Sequence, residues 1–417
     1  MTMSDYRFSR SAAVQPSAIR ELLRDAQRPG MISLAGGLPQ AALFDVEGIR
    51  RATAAVFEQQ PRRALQYGAT EGQESLQTAL SAHLLIRGIR VAPASIQVTT
   101  GSQQALDLMA RAFLDEGDCV ALEVPNYLAA VQAFDLRGAC YLSLPVAADG
   151  ADVERLVAQL SAHRGPAPKL AYLVSNFANP TGASWSVERR IALLRWAVAH
   201  QVFVLEDDPY GELRFAGAPV PPPLWVLAQR MPGAAEWCGY ASSLSKIVAP
   251  GLRIGWLVLP PRVANVVTRI KQALDLHTSS FVQEIAARYL ESGELERHLD
   301  IARRSYATQC ETLCTALHSC MKNELQFGVP AGGMFFWCRF RDPIDTAELL
   351  VHAREQGVIF VPGAVFYPGG GGDSATLRLS FATSAPAELR EGVHRLSLAL
   401  HAYRQAQPEK STRSATS

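Results

Sequence analysis

Val202-Phe203-Val204-Leu205-Glu206-Asp207-Asp208-Pro209-Tyr210 is an apolar run that passes without a break into acids, a proline and a tyrosine. A run this apolar, with no polar residue alternating through it, suits a strand covered on both faces, as in a parallel-rich sheet between layers of helices. Side chains at the carboxyl end of such a strand point into the crevice where α/β sheets take their ligands. Asp207 is therefore the candidate to meet a ligand, and Tyr210 stands close enough in sequence to hydrogen-bond the same molecule. The competing reading is an acidic metal site, which the lack of a nearby histidine weakens.

Working outward, Ile96–Thr100, Cys119–Val124 and Lys169–Val174 read as further strands of the same kind. Helical patterns separate them, as in the spacing of Leu76, Leu80 and Leu84. Such alternation predicts an α/β domain with a mostly parallel sheet sandwiched by helices. Beyond Pro260-Pro261 the pattern turns helical, with Val263–Leu276, Phe281–Leu290 and Leu295–Cys320 as long candidates. Met334–Phe340 and Leu377–Phe381 then read as strands of a smaller α+β domain. A chain of 417 residues is too long for one core. The expected division is an N-terminal arm (1–45) with helical character around Pro16–Ala26, a large domain (46–285), a small domain (286–405) and a polar tail (406–417).

Composition narrows the function. Hydrophobic residues make up 48% and charged residues 19%, with a formal net charge of +1. That balance offers no field to attract nucleic acid or an acidic membrane. No window is apolar enough to span a membrane, and no signal peptide precedes the arm, so a cytoplasmic location is expected. Seven cysteines lie scattered without a CxxC pair, which argues against a disulfide framework or a zinc site.

Four further motifs carry chemistry. Ser242-Ser243-Leu244-Ser245-Lys246 puts an amine among small hydroxyl residues, where a confined lysine can form an imine with an aldehyde. Arg253, set between Gly251 and Gly255, could clamp a phosphate in bidentate fashion. A surface lysine, or a serine hydrolase of the SxxK type, is the alternative, although no KTG-like partner follows. Ile96 to Ala105 runs from strand through Gly101 into a helix, a phosphate cradle with the Ser102 hydroxyl as an added donor. Tyr127 follows the next strand and could stack on a planar ring. Asn176 and Asn179 flank the turn Asn179-Pro180-Thr181-Gly182, where buried amides could reach a phenolate oxygen or a carboxylate. Arg378 stands in an apolar strand and should meet an anion, either a substrate carboxylate or a structural partner. A carboxylate at Asp207 could keep a pyridine nitrogen protonated and make the ring an electron sink.

In this order and at these separations, the motifs resemble the fold-type I aminotransferases of class I/II, from about Pro16 to about Leu400. Ser33–Pro39 and Ala64-Leu65-Gln66-Tyr67-Gly68 look most like the 2-aminoadipate and kynurenine branch. The resemblance implies a seven-stranded, mostly parallel sheet and pyridoxal 5′-phosphate as cofactor. Lys246 would be the Schiff-base lysine and proton shuttle, and Asp207 the partner of the pyridinium. Tyr127 would stack on the ring, and Asn179 and Tyr210 would touch its phenolate oxygen. Ser102, Gln103, Ser243 and Arg253 would hold the phosphate, with Tyr67 reaching the phosphate of the neighbouring subunit in a homodimer. Arg378 would take the substrate carboxylate, while Arg20 and Gly37 of the arm close over the substrate. The implied activity is ping-pong transfer of an amino group from an L-α-amino acid to a 2-oxo acid such as 2-oxoglutarate. No second arginine is evident for an acidic side chain, which leaves the donor open. Elimination, decarboxylation or carbon–carbon bond formation on the same cofactor remains an alternative. So does a non-enzymatic aminotransferase-like regulator, although the stretch ahead of the large domain looks too short for a DNA-binding module.

Overall fold

Helix α1 (Val46–Gln59) opens with the Asp45 carboxylate accepting the Gly48 N–H at 2.8 Å, which satisfies a backbone donor the helix itself leaves free. Helix α2 (Glu74–Ile86) buries Leu76, Leu80 and Leu84 on one face, as their spacing predicts. The sheet begins with β1 (Ile96–Thr99), which turns at Gly101 into α3 (Ser102–Phe113). There follow β2 (Cys119–Glu123), α4 (Leu128–Asp135), β3 (Cys140–Leu144), β4 (Pro168–Leu173), α5 (Val187–His200), β5 (Phe203–Asp207), β6 (Cys238–Ser243) and β7 (Gly255–Val258). The computed structural model describes residues 8, 9, 12, 22, 24–147 and 149–406. The tail from 407 onward and most of the helix expected around Pro16–Ala26 lie outside the described residues.

These strands form one seven-stranded sheet in the order β1-β7-β6-β5-β4-β2-β3. All neighbours are parallel except β7, which runs against both β1 and β6. The apolar runs feed two cores at once. Val120, Leu122, Leu170, Tyr172, Phe203 and Leu205 join one cluster, while Cys119, Ala121, Ala171, Leu173, Val202 and Val204 join the other. A period of two thus operates inside continuous apolar stretches, because both faces are dry.

The expected strand Val202–Leu205 extends into the acids, since Glu206 and Asp207 pair with Tyr240 and Ala241 of β6. Three strands of the sheet escaped the sequence reading. β3 is an edge strand with mixed exposure, β6 is the small and polar Cys-Gly-Tyr-Ala-Ser-Ser, and β7 is short.

Helix α6 (Pro261–Asp275) starts with proline in its first turn and stops at Leu276, whose φ is +64°. Helix α7 (Ser280–Glu291) packs on α1 and α2, and the long α8 (Glu294–Met321) follows. The remaining chain builds a four-stranded antiparallel sheet from β8 (Leu325–Phe327), β9 (Phe335–Phe340), β10 (Val361–Pro362) and β11 (Thr376–Ser380), in the order β8-β9-β11-β10. Helix α9 (Thr346–Glu355) lies between β9 and β10, and α10 (Pro386–Ala406) packs on α8 and α9. The N-terminal pair Ile32–Ser33 runs parallel to Val358–Ile359, so the arm joins this second layer. Among the described residues, no helix is long and apolar enough to cross a membrane.

Candidate active site

The carboxyl ends of β4 and β5, the start of α3 and the turn after β6 converge on a cavity of about 240 Å³. Its walls include Ser102, Gln103, Tyr127, Asn179, Asp207, Tyr210, Ser243, Lys246 and Arg253, together with Leu38, Val174, Pro209, Ser245 and Pro250.

Strand parity separates Glu206 from Asp207 at the end of β5, and Asp208 follows just beyond the strand. Asp207 shares the face of Phe203 and Leu205 and turns into the cavity. Glu206 faces the opposite way, 3.3 Å from Arg190, and also accepts the Ser175 hydroxyl. Asp208 is 2.6 Å from Arg87 and takes the Asn176 amide at 2.9 Å and the Tyr240 phenol at 3.2 Å. Glu206 and Asp208 thus have their own cations, and among the described residues the three acids do not bring ligand atoms together as a metal cluster would. Asn176 is also accounted for: its Oδ1 accepts from Arg190 at 2.7 Å, so it buttresses the structure and does not line the cavity.

Asp207 is almost wholly buried. Its Oδ2 accepts the Tyr172 phenol at 2.9 Å, and its Oδ1 has no partner. Desolvation pushes the carboxyl up to about 7; the Tyr172 bond works against this, and the charges of Asp208 and Glu206 add to it. Lys246 shows the converse. Burial first, then Arg378 and Arg253, pull its amine down to about 8, and its Nζ donates to the Gly37 carbonyl at 2.8 Å.

At the other end lies an anion cradle. Gly101, with φ +76°, precedes α3, and no side chain caps that helix. The positive helix end and its first N–H groups are therefore open to a ligand. The Arg253 guanidinium packs beneath this turn, donating to the Thr100 carbonyl at 3.3 Å, and a Cβ on Gly101 would lie 2.5 Å from it. Arg253 itself adopts a left-handed backbone, φ +53°, at the end of a short 3₁₀ turn. The Ser243 hydroxyl donates to the Ile254 carbonyl at 2.9 Å and stands 2.8 Å from the Ser245 Oγ. Gln103 donates to the Ala129 carbonyl at 3.1 Å. Ser245 was not singled out in the sequence, although it borders the lysine and lines the cavity.

Arg378, on β11, is buried with no carboxylate beside it among the described residues. It donates to Asn179 Oδ1 at 2.7 Å and to the Ala35 carbonyl at 2.6 Å, and its Nε has no partner. Its guanidinium lies 4.4 Å from the Phe335 ring centroid and 5.0 Å from that of Phe366. Desolvation lowers it to about 10, partly offset by Tyr210 and Tyr127. A cation with only neutral partners in a dry site is costly to keep, and an anionic ligand would offset that cost. Burial raises the Tyr210 phenol above its ordinary value, and neighbouring Tyr127 adds to this. Burial likewise raises the phenol of Tyr127, as does nearby Asp207.

Two candidates stand apart. Tyr67 is exposed, its ring edge-on to His277 at 5.7 Å, in a shallow surface groove outside the central cavity. Arg20 lies outside the described residues. Gly37 lies over Arg378 and Phe335, where a Cβ would come 3.5 Å from the Phe335 ring.

These groups suit pyridoxal phosphate: an unsatisfied buried carboxylate oxygen for the ring nitrogen, an uncapped helix start with an arginine for the phosphate, and a lysine held near neutrality for the aldehyde. Comparison with known proteins agrees. Residues 29–396 match the family model described as aminotransferase class I and II. The chain is 39% identical to the 2-aminoadipate transaminase of Thermus thermophilus, over 93% of this chain and 94% of that one. It also superposes on LysN, an α-aminoadipate aminotransferase of Thermus thermophilus, complexed with N-(5′-phosphopyridoxyl)-L-leucine. That match has a TM-score of 0.86 and 36% identity, covering 95% of this chain and 98% of that one. The kynurenine aminotransferase of Pyrococcus horikoshii gives a TM-score of 0.89 at 36% identity, over 97% and 98%.

Proposed function

The chain belongs to the class I and II aminotransferases, pyridoxal-phosphate enzymes, and on that footing we propose that it passes the amino group of an L-α-amino acid to 2-oxoglutarate in a ping-pong cycle. One observation carries the reading: Lys246, Asp207 and an uncapped helix start line the same cavity, and Asn179 at its wall holds the buried Arg378. When bound, the cofactor supplies an aldehyde and a cationic ring that absorbs the electron pair left at the substrate α-carbon.

The protein's own groups divide the remaining work. Lys246, already partly neutral near pH 8, is the attachment point and takes the proton from the substrate α-carbon. Asp207 offers its free Oδ1 to the ring nitrogen and keeps a proton there. Ser102, Gln103, Ser243 and Arg253 hold the phosphate, Tyr127 covers the ring, and Tyr210 and Asn179 address its phenolate oxygen. Arg378 takes the α-carboxylate of amino acid and oxo acid in turn, which sets the α-carbon over the lysine. The arm at Gly37 and Leu38 closes the site against water. Tyr67 serves the partner's phosphate in a homodimer. The arm (1–45), large domain (46–285) and small domain (286–405) are the units that hold these parts.

A panel of L-amino acids, headed by 2-aminoadipate and kynurenine after the relatives' activities, tests this. Bleaching of the cofactor's long-wavelength absorbance with release of one equivalent of 2-oxo acid, reversed by 2-oxoglutarate, is the expected result. A Lys246→Ala variant that still turns over would sink the assignment.

A further inference from the structure

We propose that Tyr172 is a positioning residue for the reaction: its phenol occupies one oxygen of Asp207, so that the other meets the cofactor's ring nitrogen and the shared proton stays on the ring. This rests on the reading of Asp207 as the ring-nitrogen partner.

The geometry begins with strand parity. Tyr172 on β4 and Asp207 on β5 belong to neighbouring parallel strands and to the same face of the sheet, with Tyr172 paired to Leu205. Tyr172 is fully buried and meets Phe134 edge to face at 5.7 Å, so its ring has no room to swing. Its O–H reaches Asp207 Oδ2 at 2.9 Å. Among the described residues it is the one group that hydrogen-bonds the Asp207 carboxylate, and no cation pairs with that aspartate. The phenol is held well above its ordinary value by desolvation and then by Asp207, so it remains a donor at any pH the protein meets.

The consequence follows from competition for one proton. A carboxylate in a dry site with a single neutral donor is a strong base. Facing a weakly basic pyridine nitrogen, it would tend to take the proton, leaving a neutral ring that stabilises a carbanion poorly. A hydrogen bond to the charged form makes the carboxylate a weaker base. The phenol therefore acts through Asp207 on the protonation of the ring, without touching it. It also fixes which oxygen faces the cavity, since an unanchored carboxylate could rotate and present either.

The test uses Tyr172→Phe, which removes one oxygen and leaves the ring. Holoenzyme reconstituted with ¹⁵N-labelled pyridoxal phosphate reports ring-nitrogen protonation directly by NMR. The expected result is a ¹⁵N shift towards neutral pyridine and a kcat about tenfold lower, the cost of one unit of proton affinity, with KM for the amino acid nearly unchanged. 3-Fluorotyrosine installed at position 172, a stronger donor, should move the ¹⁵N shift the other way; this arm also serves if the phenylalanine variant does not fold. Asp207→Asn is the control. A signal unchanged in both Tyr172 variants but moved in Asp207→Asn overturns the role of Tyr172 and leaves Asp207 in place. A signal unchanged in Asp207→Asn overturns the reading of Asp207 as well.

Discussion

Burial holds the Lys246 amine at about 8, with Arg378 and Arg253 adding to the effect, while the same dry cavity lifts the Asp207 carboxyl to about 7. Each shift predicts a pH dependence. Only the neutral amine attacks an aldehyde, so cofactor uptake by the apoprotein should accelerate about tenfold per pH unit below 8 and level off above it. Stopped-flow absorbance reads this directly, and a rate still climbing at the pH of an ordinary lysine would contradict the shift. For Asp207, the folded apoprotein binds more protons than the unfolded chain between the usual carboxylate range and about 7. Its stability therefore falls as pH rises through that window. Asp207→Asn should raise the melting temperature of the apoprotein at pH 8 while lowering kcat by on the order of a hundred- to a thousandfold, as when a preorganised electrostatic contact is removed. A variant that melts lower at pH 8 would contradict the cost assigned to the charged form. Sequence alone favoured Asp207 among its acidic neighbours, which have partners of their own: Glu206, on the opposite face of the strand, meets Arg190, and Asp208, just past the strand, meets Arg87. Tyr172 was not legible, because one tyrosine in an apolar strand reads as core. Asn176 looked like a ligand because the turn motif cannot say which of two amides lines the cavity: Asn179 does, and Asn176 lies behind it on Arg190 and Asp208.

At the scale of elements, the proposed phosphate cradle depends on how closely β7 lets the turn before α3 approach. A Cβ on Gly255 would lie 2.7 Å from the Gly101 carbonyl carbon and 2.9 Å from the Ser102 nitrogen, both backbone atoms that cannot rotate away. Gly255→Ala should therefore push the helix start off its position. The expected cost is about 1–3 kcal/mol of stability and about tenfold in cofactor affinity. Thermal unfolding of the apoprotein and a fluorescence titration with pyridoxal phosphate measure the two separately, and unchanged affinity would mean that the turn does not set the cradle. The strand-to-glycine-to-helix pattern was readable here because Gly101 is a local signal. The antiparallel strand that presses against it was not, since Gly255–Val258 is short and its place between β1 and β6 depends on pairing across long stretches of chain. Local periodicity finds elements; it carries no information about which distant glycine must stay bare.

For the molecule as a whole, the prediction concerns how many chains make one site. Tyr67 is 78% exposed and edge-on to His277, with Leu65 also exposed nearby and Phe57 packed against Phe281 on the same side of the fold. An aromatic group spread over several elements is costly to leave in water and suits contact with a second copy. If Tyr67 reaches the partner's phosphate, two defective chains can repair each other. A Tyr67→Ala homodimer should hold the cofactor weakly, and a Lys246→Ala homodimer should be inactive. In a mixed dimer, the Tyr67→Ala chain keeps its own lysine and receives an intact tyrosine from its partner, so one complete site reappears. Refolding the two variants together at limiting cofactor should then recover about half the wild-type activity in the mixed species, as one site of two is whole. Separation by differential tags and a rate measurement at low pyridoxal phosphate decide the matter. If Tyr67 acts only within its own chain, the mixed dimer will gain nothing over the sum of its parents.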